Sequence, residues 1–292
     1  MSIRRGMLVT CVLGAGAMPA AAQGDANGHE TSTVWTAEMV PVDPFAARVP
    51  YGPGEHLVYR MKVGIFSVGY AYLSVLGTED VRDNPSYRVE MGIQGGLGPL
   101  KVHDTYQSWI DVSTLQSWRF IQDIDDVGYQ SYRHFEFFPE RRRWERQDND
   151  EFGTLGSALP MDDIAFIYYI RSMPLEVGRS YTINRYFKEK GNPVVIEVVR
   201  KDQREVGGVL YNTIVVKPLI RTSGLFGEGG DAELHFTDDE RRVLVYLKSN
   251  IPKFPGSLTL HLQTIQDGFP LNPESRAAAL AARQARAEGR DH

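Results

Sequence analysis

The sequence holds one cysteine, Cys11, near the N-terminus. A domain built from the rest of the chain has no disulfide to draw on, and packing alone must hold it. Long apolar runs are also missing: no stretch approaches the ~20 residues that a membrane-spanning helix needs. Excess positive charge is missing too, since 32 basic residues face 37 acidic ones. A mildly acidic chain is a poor partner for nucleic acid, whose phosphates call for a basic patch.

What is present begins with a three-part N-terminus. Arg4 and Arg5 precede a small-residue and apolar stretch from Met7 to Met18, and Pro19-Ala20-Ala21-Ala22 leads into Gln23. Small side chains at Ala20 and Ala22 suit a signal peptidase, so residues 1–22 are expected to be an export signal, with a periplasmic or extracellular destination. Lipid attachment at Cys11 fits less well, because Thr10 is bulky for the position before it and apolar residues continue past it. Residues 23–50, rich in Gly, Thr, Ala and Pro, read as a loose arm or tether.

From Gly54 onward the pattern is that of strands. Leu57, Tyr59, Met61, Val63 and Ile65 alternate, as do Val68, Tyr70, Tyr72 and Leu76, with a turn expected near Ser67. Similar segments recur to Ile265, separated by turn sequences such as Asp83-Asn84-Pro85, Gly207-Gly208 and Asp238-Asp239-Glu240. One segment differs. Ile164, Ile167, Tyr168 and Arg171 are spaced for one helix face, with Asp162-Asp163 ahead and Pro174 behind, which predicts a helix over 162–173 packed on the sheet. Residues 273–289 predict an Ala/Arg-rich surface helix within a tail spanning 271–292. The expected fold of 51–270 is mainly β: a strongly curved antiparallel sheet or partly open β-barrel with one internal packed helix. A two-layer β-sandwich is the alternative.

Several motifs, taken in order, resemble a family of exported bacterial proteins known only as a domain of unknown function, DUF3108. They are Gly54-Glu55-His56-Leu57-Val58-Tyr59, Pro160-Met161-Asp162-Asp163 leading to Tyr168-Tyr169-Ile170-Arg171, and Leu175-Glu176-Val177-Gly178. Gly224-Leu225-Phe226 with Gly229-Gly230, and Asp238-Asp239-Glu240-Arg241-Arg242, complete the set. The resemblance spans roughly residues 52 to 268 and implies an extracytoplasmic β-rich domain. It marks Asp162, Tyr168 and Arg171 as structural-motif residues and implies no activity.

Reactive constellations are absent from the sequence. The paired acids Asp125-Asp126, Asp162-Asp163 and Asp238-Asp239 read as a strand end, a helix cap and a turn. The histidines show no ligand-like spacing, so neither a metal nor another cofactor is expected. Asp148-Asn149-Asp150 lacks the closing Glu of a calcium loop, and Gly156-Ser157-Ala158 lacks the second Gly of a nucleophile elbow. Arg141-Arg142-Arg143 reads as a solvated face.

Two glycine-rich segments carry large apolar residues where loops are usually polar: 95–100 with Leu97 and Leu100, and 224–230 with Leu225 and Phe226. These four residues are the candidate lip for a ligand or partner, with lids over the core as the competing reading. The leading expectation is a non-enzymatic envelope protein that binds lipid or another apolar ligand. A scaffold that binds another envelope protein is the second, and a hydrolase acting on envelope polymers is the third. Export has a direct test. N-terminal sequencing of the secreted protein should start at or near Gln23, and a full-length cytoplasmic product would refute cleavage.

Overall fold

The computed structural model describes residues 43–97, 100–126, 128–219, 232–250 and 257–272, with isolated positions beyond them. The signal segment, most of the arm, Leu225 and Phe226 lie outside the described residues.

Fourteen strands form one antiparallel sheet. They are β1 (His56–Val63), β2 (Phe66–Val81), β3 (Asn84–Leu97), β4 (Leu100–Asp111), β5 (Ser117–Asp126), β6 (Tyr129–Phe138) and β7 (Arg143–Arg146). After β8 (Phe152–Thr154) comes the helix α1 (Asp163–Ser172), followed by β9 (Ser180–Ile183), β10 (Val194–Val206) and β11 (Val209–Leu219). The series ends with β12 (Ala232–Thr237), β13 (Leu244–Asn250) and β14 (Ser257–Gln266). Pairing runs from β8 back through β1, across to β14, and down to β9. The ladder therefore does not close. Its edges meet at a seam, where Leu155 bridges Lys188 and the Gly156 N–H donates to the Phe187 carbonyl at 2.8 Å. The result is a partly open barrel, as the alternation implies, and not a two-layer sandwich.

Local chemistry explains the turns and the bend. Gly207 and Gly208 both have positive φ, which the two-residue hairpin between β10 and β11 requires. Gly69 on β2 faces Gly95 on β3, and a Cβ on either would lie 2.2 Å from the backbone of the opposite strand. Such close approach suits a bend in a strongly curved sheet. Gly95 and Gly96 thus belong to a strand and not to a loop, since β3 continues to Leu97 and pairs it with Leu100.

Helix α1 plugs one end. All ten of its residues are buried, among them Phe166, Tyr169 and Ile170, which the expected stripe omits. A helix apolar all round needs cover all round, and the curved sheet supplies it. Asp162 caps it, accepting from the Ile164 and Ala165 N–H groups at 2.9 Å each. Ser108 Oγ donates to the second Asp162 oxygen at 2.6 Å. Tyr168 donates to the Ser74 carbonyl at 3.2 Å, tying the helix to β2.

Arg171 is fully buried in the last turn and forms a two-pronged pair with Glu55 at 2.6 and 2.8 Å. It also donates to the carbonyls of Arg242 and Arg241 at 3.0 and 3.2 Å. Burial alone would lower its pKa, but the Glu55 carboxylate more than offsets that and holds it raised.

Three local readings change. Residues 43–50 pack on the domain and are not loose: Asp43 pairs with Arg185 at 2.6 Å, and Ala46 and Val49 are buried. The turn after β1 falls at Gly64-Ile65, so Ile65 is a tip residue and not a strand residue. Apolar residues on both faces of 68–76 and 243–247 call for cover on both sides; β2 lacks it, for Tyr70 and Leu76 are exposed, whereas residues 244–247 of β13 are buried on both faces. The described positions of the tail, such as Glu274 and Ala278, are helical and exposed.

Ile167 is 1% exposed in the middle of α1. Ile167→Ala should cost about 2–5 kcal/mol in denaturant unfolding, the range for large-to-small changes in a packed core. A cost below about 0.5 kcal/mol would mean that α1 is not the plug described.

Candidate functional site

The barrel has two unlike ends. At the end plugged by α1 lie the β2–β3, β4–β5 and β12–β13 connections. At the other, the rim, the β1–β2, β3–β4 and β5–β6 hairpins turn. Strands β11 and β13 also end, and β12 and β14 begin, at the rim end. Of the two glycine-rich segments, Gly95, Gly96, Leu97 and Leu100 are at the rim, and 224–230 lies outside the described residues. Leu97 and Leu100 are register partners closing the β3–β4 hairpin there.

Alternation decides what faces inward near the rim. Around α1 the interior is filled: Leu57, Tyr59, Val89 and Phe120 are at most 1% exposed, which leaves no water-sized void beside them. Toward the rim the inner face stays apolar but is only partly buried, at Val63, Ile93, Val102, Leu258 and Leu260. This partly exposed apolar inner surface is the cup of the barrel mouth. Its edge carries the most exposed large apolar side chains of this region, Ile65 at 87% and Phe66 at 65%.

One wall of the cup is polar. Asp104 on β4 and Asp126 on β5 both turn inward and are 3% and 4% exposed. Asp104 accepts from the Asp125 N–H at 3.1 Å and from the Tyr106 hydroxyl at 3.4 Å. Burial, with the neighbouring Asp126 charge adding to it, pushes its pKa up to about 6. On the same face, Arg133 donates to the hydroxyl of the half-exposed Tyr129 at 3.0 Å. A shifted carboxyl beside a second acid is the pattern of an acid–base site. Here both acids are too deeply covered for a polymer to reach them.

The other acids hold structure. Asp125 points outward, as neighbours on a strand must. Asp163 accepts from the Tyr186 hydroxyl at 3.2 Å, and burial pushes it up to about 6. Asp238 pairs with Lys201 at 2.7 Å, and Asp239 holds the β12–β13 turn through the Arg241 and Arg242 N–H groups. Asp162, Tyr168 and Arg171 are likewise committed to the plug.

Among the described residues no group of three or more His, Cys, Asp or Glu is arranged to hold a metal ion. His235 is fully buried on the outer face against Tyr246, and burial, with Arg204 nearby, pushes it down to about 4. Arg141 and Arg143 stack on Phe138 and Phe152 at 4.3 and 3.9 Å, while Trp144 turns into the core. A polar groove of 460 Å³ lies outside on β4–β6, lined by His103, Thr105, Asp123, Asp125, Gln130 and Tyr132 among others. No helix among the described residues is long and apolar enough to cross a membrane.

Sequence reasoning passed over Asp104 and the Ile65-Phe66 tip. The signal for Asp104 was its place in the alternating set with Tyr106, Ser108 and Ile110. The signal for the tip was Gly64, which adopts positive φ at the turn.

A family model described as a protein of unknown function, DUF3108, matches residues 58–263. No curated protein matches the chain. Among solved structures it is similar to a β-barrel-like protein of domain of unknown function DUF1849 from Brucella abortus. That likeness has 8% identity, covers 75% of this chain and 99% of that one, and has a TM-score of 0.47. A lipoprotein candidate from Parabacteroides distasonis is also 8% identical over 75% of this chain and 99% of its own, with a TM-score of 0.32. Neither likeness bears on function.

The Asp104 shift has a measurable sign. Its folded pKa of about 6 lies above the ordinary 3.8, so the native state holds the proton more tightly. The resulting stabilisation is present below about pH 4 and is lost as pH rises through about 6. Asp104→Asn mimics the protonated acid. The variant should match the native protein near pH 4 and exceed it by roughly 1–3 kcal/mol at pH 8. Denaturant unfolding at the two pH values checks this, and a difference independent of pH would contradict it.

Proposed function

The chain belongs to the DUF3108 family of proteins of unknown function, and from that premise we propose that it is a non-enzymatic envelope protein that binds a lipid or another apolar ligand at its rim. In this reading the protein is exported after cleavage behind Ala22 and works in the periplasm or outside the cell. The observation that carries it is the apolar cup, whose inner residues Val63, Ile93, Leu258 and Leu260 remain partly exposed beneath the tip of Ile65 and Phe66. A surface this apolar and this exposed is unusual unless something covers it. Leu97 and Leu100 close a hairpin at the same end, and we assign them to the lip together with Leu225 and Phe226.

The filled interior around α1 shapes this reading. It leaves no through-going cavity in that half of the barrel, so the ligand is held at the mouth and not swallowed. The same filling supports the second reading, a scaffold whose rim meets another envelope protein. Hydrolysis is disfavoured by the inaccessibility of Asp104 and Asp126.

Mass spectrometry of extracts from gently purified protein distinguishes these readings. Wild-type protein should carry an apolar small molecule. Changing Phe66, Leu225 and Phe226 together to Ser should remove it while the melting temperature stays within a few degrees. An empty wild-type protein with a strongly destabilised triple variant would show that these side chains are lids over the core.

A further inference from the structure

Charge is unevenly distributed around the rim. Lys62 on β1 and Lys248 on β13 both lie beside Thr259 of β14 in register, so the three share the outer face just below the tip. Among the described residues neither lysine has an ion-pair partner within 4 Å. Glu233, the acid in register with Lys248, is already held by Lys217 at 3.3 Å and Arg200 at 3.4 Å. One step further down, Arg60 and the 54%-exposed Tyr70 are register partners on the same face. The order from the tip downward is therefore apolar pair, cations, then a cation beside an exposed tyrosine. The acids Asp123 and Asp125 belong to a different sector, on β5. This concentration of cations stands out in a chain whose formal charge is −5.

We propose that this sector docks on the surface of a bilayer containing anionic lipid. Ile65 and Phe66 enter the acyl boundary while Lys62 and Lys248 meet headgroup phosphates. The proposal rests on the rim reading above and narrows its partner to one kind. Dimensions agree: Lys62 and Ile65 are three residues apart, less than about 10 Å because the chain turns at Gly64, within the depth to which interfacial apolar groups sink below the headgroups. Tyr70 and Arg60 then lie at the wet edge, where amphipathic side chains are favoured. The acidic sector is repelled by the same surface, so the molecule tilts onto β13, β14, β1 and β2.

Vesicle co-sedimentation of the mature protein tests this, using phosphatidylcholine vesicles with and without phosphatidylglycerol. Binding is expected to the anionic vesicles only, and to weaken between 0.1 and 0.5 M salt, concentrations spanning about 10 Å to a few Å of Debye length. Lys62→Gln with Lys248→Gln should weaken it about 30-fold, the expectation for two lysines at a charged leaflet. Ile65→Ser with Phe66→Ser should weaken it at least 10-fold, and Lys62→Arg with Lys248→Arg should bind like the wild type. Melting temperatures should stay unchanged in all three, since none of these side chains is in the core. Equal binding to both vesicle types, unaffected by the Gln pair, overturns headgroup recognition. If wild-type protein ignores both vesicles yet carries an apolar molecule on purification, bilayer docking falls and the rim reading stands. If it does neither, both fall.

Discussion

A fully buried guanidinium organises this fold. Arg171 sits where α1 ends, and its partners come from two other places: Glu55 just before β1, and the carbonyls of Arg241 and Arg242 in the turn before β13. A charge without water needs both a counter-charge and acceptors for its remaining N–H groups, and this site supplies them. Truncating either partner of such a pair typically costs 3–5 kcal/mol, because the survivor is left charged and dry. The rings of Tyr51 and Tyr168 stack over it at 5.2 and 5.8 Å and keep water away. Three of the motifs on which the sequence resemblance rests therefore meet at one side chain. They record how the plug is fixed.

This explains which parts of the structure were legible in the sequence. Strands announce themselves by alternation, and α1 by its acidic start and the proline beyond its end. The full burial of α1 was visible as well, in the unbroken apolar run from Ile164 to Ile170, but a stripe of three residues was the simpler reading. The seam between β8 and β9 was not legible. It depends on contacts between Leu155 and Lys188, distant in sequence and outside any regular strand.

The site was harder to read for a physical reason. Asp104 is an ordinary residue of an ordinary alternating strand, and only the closing of the sheet removes its water. Adjacent acids at Asp125-Asp126 drew attention as a pair, yet the pleat sends one outward and the other inward. The true neighbour of Asp126 lies on another strand. Ile65 reads as a strand residue until Gly64 is seen to turn the chain ahead of it. In each case the residue type was plain and the surroundings were not, since the surroundings come from chain segments far apart in sequence.

The unclosed ladder has a mechanical meaning. A ring of fourteen strands with full pairing everywhere would have a fixed circumference, because every interval is set by the 4.7–4.9 Å spacing of hydrogen-bonded neighbours. Here one interval escapes that rule. Between β8 and β9, strands of three and four residues, the junction relies on two isolated bridges, Leu155 to Lys188 and Met161 to Tyr186, and a few backbone bonds such as that from Gly156 to Phe187. Short edges joined in this way resist pairing with a second molecule. They also make the junction the compliant part of the wall, so any change in the girth of the mouth is taken up there, while the clamp at Arg171 keeps the opposite end rigid.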